Sequence, residues 1–127
     1  MKKIVNSDEA PAPLGPYNHS VQAGPFLFVS GQIAIDPTDG SLVTHEIQAE
    51  THQALKNVKA ILKASGLSFQ DVVKTSIFVK DMNDYGKINE VYSQYFEDDT
   101  APARELVQVA ALPKFVNIEI SVIAFKE

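Results

Sequence analysis

Residues 46–80 decide the fold: EIQAETHQALKNVKAILKAS from Glu46 to Ser65, a break at Gly66, and then DVVKTSIFVK from Asp71 to Lys80. In the first run Ile47, Ala54, Leu55, Val58, Ile61 and Leu62 recur at helical spacing. Glu46 and Glu50 stand near its start and Lys56, Lys59 and Lys63 toward its end, the charge order that complements a helix dipole. Gly66 suits the stop, because it accepts the left-handed backbone on which helices end. The second run is strand-like, and Val72, Val73, Ile77, Phe78 and Val79 place apolar groups on both of its faces. A helix with one face on the core is thus followed by a strand with apolar groups on both faces.

Toward the N-terminus, Tyr17 to Ala23 and Phe26 to Ser30 are short β-prone runs separated by Gly24-Pro25, as in a hairpin. Lys3 to Val5 is a candidate additional first strand. Asp36-Pro37 and Asp39-Gly40 mark an exposed turn before the helix. Toward the C-terminus, Asp81 or Asn83 can cap a second helix, with Tyr85, Ile88, Val91, Tyr92, Tyr95 and Phe96 as its inward stripe. Two more strands, Arg104 to Ala110 and Val116 to Phe125, are joined through Leu112-Pro113-Lys114. The expected order is β-β-β-α-β-α-β-β in one domain, residues 1–127, with no linker, repeat or low-complexity segment.

Two helices can cover only one face of such a sheet. In the last strand Ile118, Ile120, Val122 and Ala124 lie on one side and Ile123 and Phe125 on the other. A homo-oligomer is therefore expected to bury the second face; the competing reading is that loops, Asn117, Glu119 and Ser121 leave it wet.

A hydrophobic fraction of 45% and a charged fraction of 21% fit a folded globular chain. The net charge of -5 opposes a surface built to neutralise phosphates, so nucleic acid is not expected as the main partner. No apolar run approaches the roughly 20 residues that span a bilayer. The stretch Met1 to Asn6 lacks the apolar core of a signal peptide, which makes the cytoplasm the expected location. The absence of cysteine removes disulfides, thiolate nucleophiles and Cys-based zinc sites. His19, His45 and His52 show no short metal-binding pattern, and no metal site is expected.

Arg104 is the sole arginine among eleven cationic residues. A guanidinium offers planar paired donors matched to a carboxylate, where lysine offers a strongly hydrated point charge. At the opening of a strand it can be held at the mouth of a pocket; it also reads as a surface cation or a structural salt bridge. Glu119 interrupts the run Ile118-Glu119-Ile120-Ser121-Val122-Ile123. Arg104 on the neighbouring strand is one candidate partner, an acid–base or water-orienting role is another, and a solvated strand residue is a third. Taken singly, Ser30 is a hydrogen-bonding turn residue, Tyr17 a core ring with its hydroxyl satisfied, and Asn89 a solvent-facing amide.

Taken together, several blocks resemble the reactive intermediate deaminase family, also called the Rid or YjgF family, along essentially the whole chain. They include Gly15-Pro16-Tyr17, Ser30-Gly31-Gln32-Ile33, Asn57-Val58-Lys59-Ala60, Asn89-Glu90-Val91-Tyr92, Pro102-Ala103-Arg104, Ala111-Leu112-Pro113-Lys114 and Ile118-Glu119-Ile120. The resemblance implies a chorismate-mutase-like α+β fold and a homotrimer whose sheets form a central barrel, with three clefts between subunits. It implies that Arg104 grips a substrate carboxylate, that Glu119 orients or activates water, and that Tyr17, Ser30, Gly31 and Asn89 line the cleft. The implied substrates are 2-aminoacrylate, 2-aminocrotonate and the corresponding imines, hydrolysed to 2-keto acids and ammonia with no cofactor. Glu105-Leu106 departs from the family's common Ser-Cys, and Asn18-His19 from its frequent Ser-Gln. Leu106 shares the strand face of Arg104 and is expected to reshape the substrate pocket, while Glu105 points to the other face.

The alternative is a non-catalytic protein that binds 2-keto acids through the same arginine. The ribonuclease activity associated with some relatives is disfavoured by the net negative charge. A chorismate-mutase activity, which rests on fold alone, is disfavoured because a dicarboxylate would ordinarily want more than one arginine.

Overall fold

The computed structural model describes all residues from Met1 to Glu127. Its elements are β1 (Lys3–Val5), β2 (Ser20–Ala23), β3 (Phe26–Gln32), α1 (Ile47–Ala64), β4 (Val72–Val79), α2 (Tyr85–Tyr92), β5 (Ala103–Gln108) and β6 (Ile118–Phe125). This is the order expected from the sequence, including the short first strand.

Local signals set the element ends. α1 stops in a Schellman arrangement: Gly66 adopts φ +73°, its N–H donates to Lys63 O and that of Leu67 to Leu62 O. The turn before α2 is capped by Asp81, whose carboxylate accepts from Asn83 N at 2.9 Å, so of the two candidate caps Asp81 is used. β2 begins at Ser20 rather than Tyr17, because the preceding residues are drawn into loop contacts: His19 N donates to the Asn6 side chain at 2.8 Å.

The strands form one sheet in the order β1-β2-β3-β6-β4-β5, antiparallel except for the parallel pair β4–β5. This overturns the neighbouring placement of the last two strands. β5 and β6 follow one another in sequence, but β4 lies between them. The Leu112-Pro113-Lys114 segment is thus part of a crossover and not a hairpin turn. The physical reason lies in β6: an eight-residue strand with apolar groups on both sides gains most in the middle of a sheet, between β3 and β4.

Both helices pack on one face. Leu27, Val29, Ile77, Val79, Ile118, Ile120 and Val122 meet Leu55, Val58, Ile61, Leu62, Ile88 and Val91 there in the main core. Glu50 departs from its expected role as a dipole-complementing surface charge. It is fully buried and accepts from Asn117 N and Asn117 Nδ2, both at 2.7 Å, and from Ile118 N at 3.1 Å. The first turn of α1 thereby grips the entry to β6. The other sheet face is open in a single chain, where Phe26, Phe28, Val107 and Phe125 are all exposed; the Phe26 and Phe125 rings meet edge-on at 5.4 Å. No helix is long and apolar enough to cross a membrane.

Candidate functional site

Arg104 pairs in register with Thr75 of β4, and Thr75 is fully buried toward the helices. In a parallel pair, residues in register share a face, so the arginine leans toward α2. It meets Tyr85, Asn89 and Tyr92, spaced i, i+4 and i+7 along one edge of that helix. Arg104 Nη1 donates to Asn89 Oδ1 at 2.8 Å and Nη2 to the Tyr85 hydroxyl at 3.2 Å. The guanidinium carbon lies 4.8 Å from the Tyr92 ring centroid, within cation–π range. Tyr92 is anchored in turn, its hydroxyl 2.8 Å from Thr75 Oγ1. Burial pushes the Tyr92 phenol up, against the smaller opposing effects of Thr75 and Arg104, which keeps that ring neutral.

The guanidinium is therefore fixed on several sides, yet the chain's two ion pairs, Lys63–Glu9 and Lys74–Glu105, do not involve it. The structural salt bridge considered from the sequence is absent. Of five N–H donors, the two hydrogen bonds just described use two. A cleft of about 270 Å³, lined in part by Asn89, Tyr92, Phe96, Asp98, Pro102 and Arg104, opens beside the guanidinium; Asp98 makes no ion pair with it. The cleft is small beside pockets that take drug-sized ligands.

Glu119 belongs to the opposite face. It pairs with Phe78, and its alternation with the buried Ile118 and Ile120 turns its side chain away from the helices. The carboxylate lies over Gly31: a Cβ there would come within 2.8 Å of Glu119 Cδ and Oε2. A side chain at this position would have to displace the Glu119 carboxylate. Burial, with no donor or cation to offset it, raises the Glu119 carboxyl above its ordinary value. Tyr17 lines a cleft together with Gly31, Gln32 and Ile33, and its hydroxyl accepts from Leu14 N at 3.1 Å; it is an exposed ring, not a core one. Ser30 donates its hydroxyl to Asn18 O at 2.6 Å and so ties down the loop that follows Tyr17. Asn57, buried on α1, donates to Ile33 O and Ile35 O at 3.0 and 2.9 Å and braces the chain just after Gly31.

The predicted residues thus fall into two groups. Arg104 and Asn89 are together; Tyr17, Ser30, Gly31 and Glu119 are together. The expectation that Arg104 neighbours Glu119 does not hold within one chain. They stand two strands and three register positions apart, about 14 Å at ordinary strand spacings, and on opposite faces. Leu106 shares the face of Arg104 but packs against the main core, outside the residues lining the arginine's cleft. Glu105 points to the other face, where it pairs with Lys74 at 3.2 Å, so its charge is directed away from the guanidinium. Tyr85 and Tyr92 were readable only as members of an inward stripe; their spacing with Asn89 is the one signal that could have joined them to Arg104.

Comparison with known proteins identifies the family of the chain. The family model described as Endoribonuclease L-PSP matches residues 7–126. A RutC family protein of Pyrococcus horikoshii is 50% identical over 127 residues, covering 100% of both chains. A 2-iminobutanoate/2-iminopropanoate deaminase of Salmonella typhimurium is 45% identical over 128 residues, covering 99% of each. Among solved structures, Escherichia coli TdcF with bound serine superposes with a TM-score of 0.92 at 43% identity, covering 98% of this chain and 99% of that one. With sequence and fold alike matched from end to end, the chain belongs to the endoribonuclease L-PSP family, the YjgF or Rid family that its sequence blocks resemble.

Proposed function

We propose that the protein is a cofactor-independent enamine/imine deaminase that hydrolyses 2-iminopropanoate- and 2-iminobutanoate-type acids to 2-keto acids and ammonia. The observation that carries this reading is Arg104: a lone guanidinium held by Asn89, Tyr85 and Tyr92, with three donors free and no carboxylate of its own. Such a group is pre-organised for a small carboxylate ligand. Relatives named as deaminases support the reaction class.

Arg104 and Glu119 act on one substrate in this reading only if different copies of the chain supply them. A homotrimer does so by covering the open apolar face of each sheet and forming a cleft between the Arg104 side of one copy and the Glu119 side of the next. Arg104 then seats the carboxylate. Glu119, in its ionised form, takes a proton from water as the oxygen adds to the C=N carbon. With the imine protonated at the outset, Glu119 passes the proton it took from water to the nitrogen, then takes the hydroxyl proton as the carbonyl forms, the C–N bond breaks and ammonia leaves. Orienting the carboxylate and one water is worth several kcal/mol, up to about 7–11 in ideal cases.

A second reading, a 2-keto-acid-binding protein without catalysis, is favoured by one fact: the Arg104 group is complete within a single chain. The two separate in one assay. A threonine dehydratase supplies 2-aminocrotonate, and keto-acid formation is followed with wild type, Arg104→Ala and Glu119→Gln. The deaminase reading expects acceleration that both substitutions remove. No acceleration by wild type, together with Arg104-dependent binding of 2-ketobutyrate, would establish the binding protein instead. The net charge of -5 weighs against a ribonuclease role for this chain, because RNA binding draws on cationic surface.

A further inference from the structure

We infer that Tyr85 is a substrate-binding residue whose hydroxyl donates a hydrogen bond to the carboxylate held by Arg104. The inference rests on the reading of Arg104 as a carboxylate site and adds to it a second donor of a different kind.

Three side chains hold the guanidinium, and they differ in what they have left to give. Tyr92 presents its ring face, and its hydroxyl is engaged with Thr75, so it has nothing to offer a ligand's oxygens. Asn89 accepts from Nη1 through Oδ1 and keeps its amide donors. Tyr85 accepts from Nη2 at 3.2 Å, which occupies a lone pair and leaves its O–H proton uncommitted. No other group in the chain accepts that proton. Tyr85 is also exposed, at 44%, an unusual state for an aromatic in a helix stripe that otherwise buries Ile88, Val91 and Tyr92.

Asn89 accepts from Nη1 and Tyr85 from Nη2, so Tyr85 stands at the Nη2 end of the fork, next to the residues that line the cleft rather than among them. A carboxylate seated on the Nη1–Nη2 edge accepts from both arms of the fork, and the phenol lies beside the Nη2 arm with its proton free. An O–H donor next to a cation suits a carboxylate and not a neutral carbonyl, because a charge-assisted hydrogen bond is roughly twice as strong as a neutral one. Tyr85 thus adds discrimination for the anionic end of the substrate. Removing the hydroxyl while keeping the ring costs the ligand one charge-assisted bond at a partly solvated position, about tenfold in affinity.

The test is a titration of wild type, Tyr85→Phe and Arg104→Ala with 2-ketobutyrate, read by calorimetry and by the near-ultraviolet tyrosine difference spectrum. The chain has no tryptophan and four tyrosines, so the spectrum reports phenol hydrogen bonding. The expected result is about tenfold weaker binding by Tyr85→Phe, with loss of the red-shifted tyrosine signal that ligand induces in wild type. Binding by Tyr85→Phe equal to wild type overturns the inference. Weaker binding with the red shift intact also overturns it, since Tyr85 would then act only by orienting Arg104. Wild-type binding that Arg104→Ala leaves unchanged, or no binding by wild type, defeats the carboxylate site itself and is recognised as such by the Arg104 arm. Tyr85 is exposed and Phe preserves its ring, so the variant folds.

Discussion

Arg104 and Glu119 lie on opposite faces of one sheet and are held by opposite means. The arginine is over-supported: a carboxamide, a phenol and an aromatic face surround it within one chain. The glutamate is under-supported: its carboxylate rests on the backbone at Gly31, with burial raising its pKa and no donor returning it. Each state suits a different task. A group that must stay charged and aimed benefits from fixed neighbours. A group that must take up a proton near neutral pH benefits from an environment that makes its charge costly.

The sharpest way to break this comparison is to separate the halves between chains. Arg104→Ala and Glu119→Gln are each expected to lower kcat/KM by about 100-fold or more. Refolded together in equal amounts, they should regain about one quarter of wild-type activity, because each cleft of the proposed cyclic trimer needs an intact Arg104 from one copy and an intact Glu119 from the next. A mixture as inactive as its parts overturns the shared cleft.

Asn57 tests the scaffold on the Glu119 side. Its amide satisfies two buried carbonyls beyond Gly31, so Asn57→Leu is expected to cost about 1–3 kcal/mol in denaturant unfolding. An equal change at Asn89, whose bond to Arg104 is only part-buried, should cost less stability and more affinity for 2-ketobutyrate.

The raised carboxyl of Glu119 predicts two further, smaller effects. In its proposed role as base Glu119 works ionised, so the acid limb of the pH–rate profile should lie above the usual carboxylate range, and Glu119→Gln should remove that limb from whatever activity remains. For stability the sign is opposite. A carboxyl raised on folding contributes favourably while protonated, below its unfolded pKa, and that contribution is lost as pH rises through the folded value. Glu119→Gln should therefore give a small rise in Tm at neutral pH that fades below the ordinary carboxylate range. A constant difference across pH would show that the carboxyl is not raised.

What could be read from the sequence was local. The span of α1, its stop at Gly66, a cap at Asp81 or Asn83 and the two-sided apolar pattern of β6 all follow from spacings of a few residues, because helix and strand periodicity is written in near neighbours. The family blocks singled out Arg104 and Glu119 on the same footing, as residue types in order along the chain. Their relation in space was not legible. Whether β5 lies beside β6 or beyond β4 depends on which strand gains most from a central place, a competition among segments far apart in sequence. The same holds for Glu50, whose position in the first turn of α1 marks it as a surface charge until the packing of α1 against the start of β6 makes it a buried acceptor of three hydrogen bonds. The sequence by itself determined the elements and the kinds of group available for chemistry. Only the tertiary structure decided which groups share a face, because side-chain neighbours across a sheet are fixed by strand order and register, and those are set by the burial of the whole.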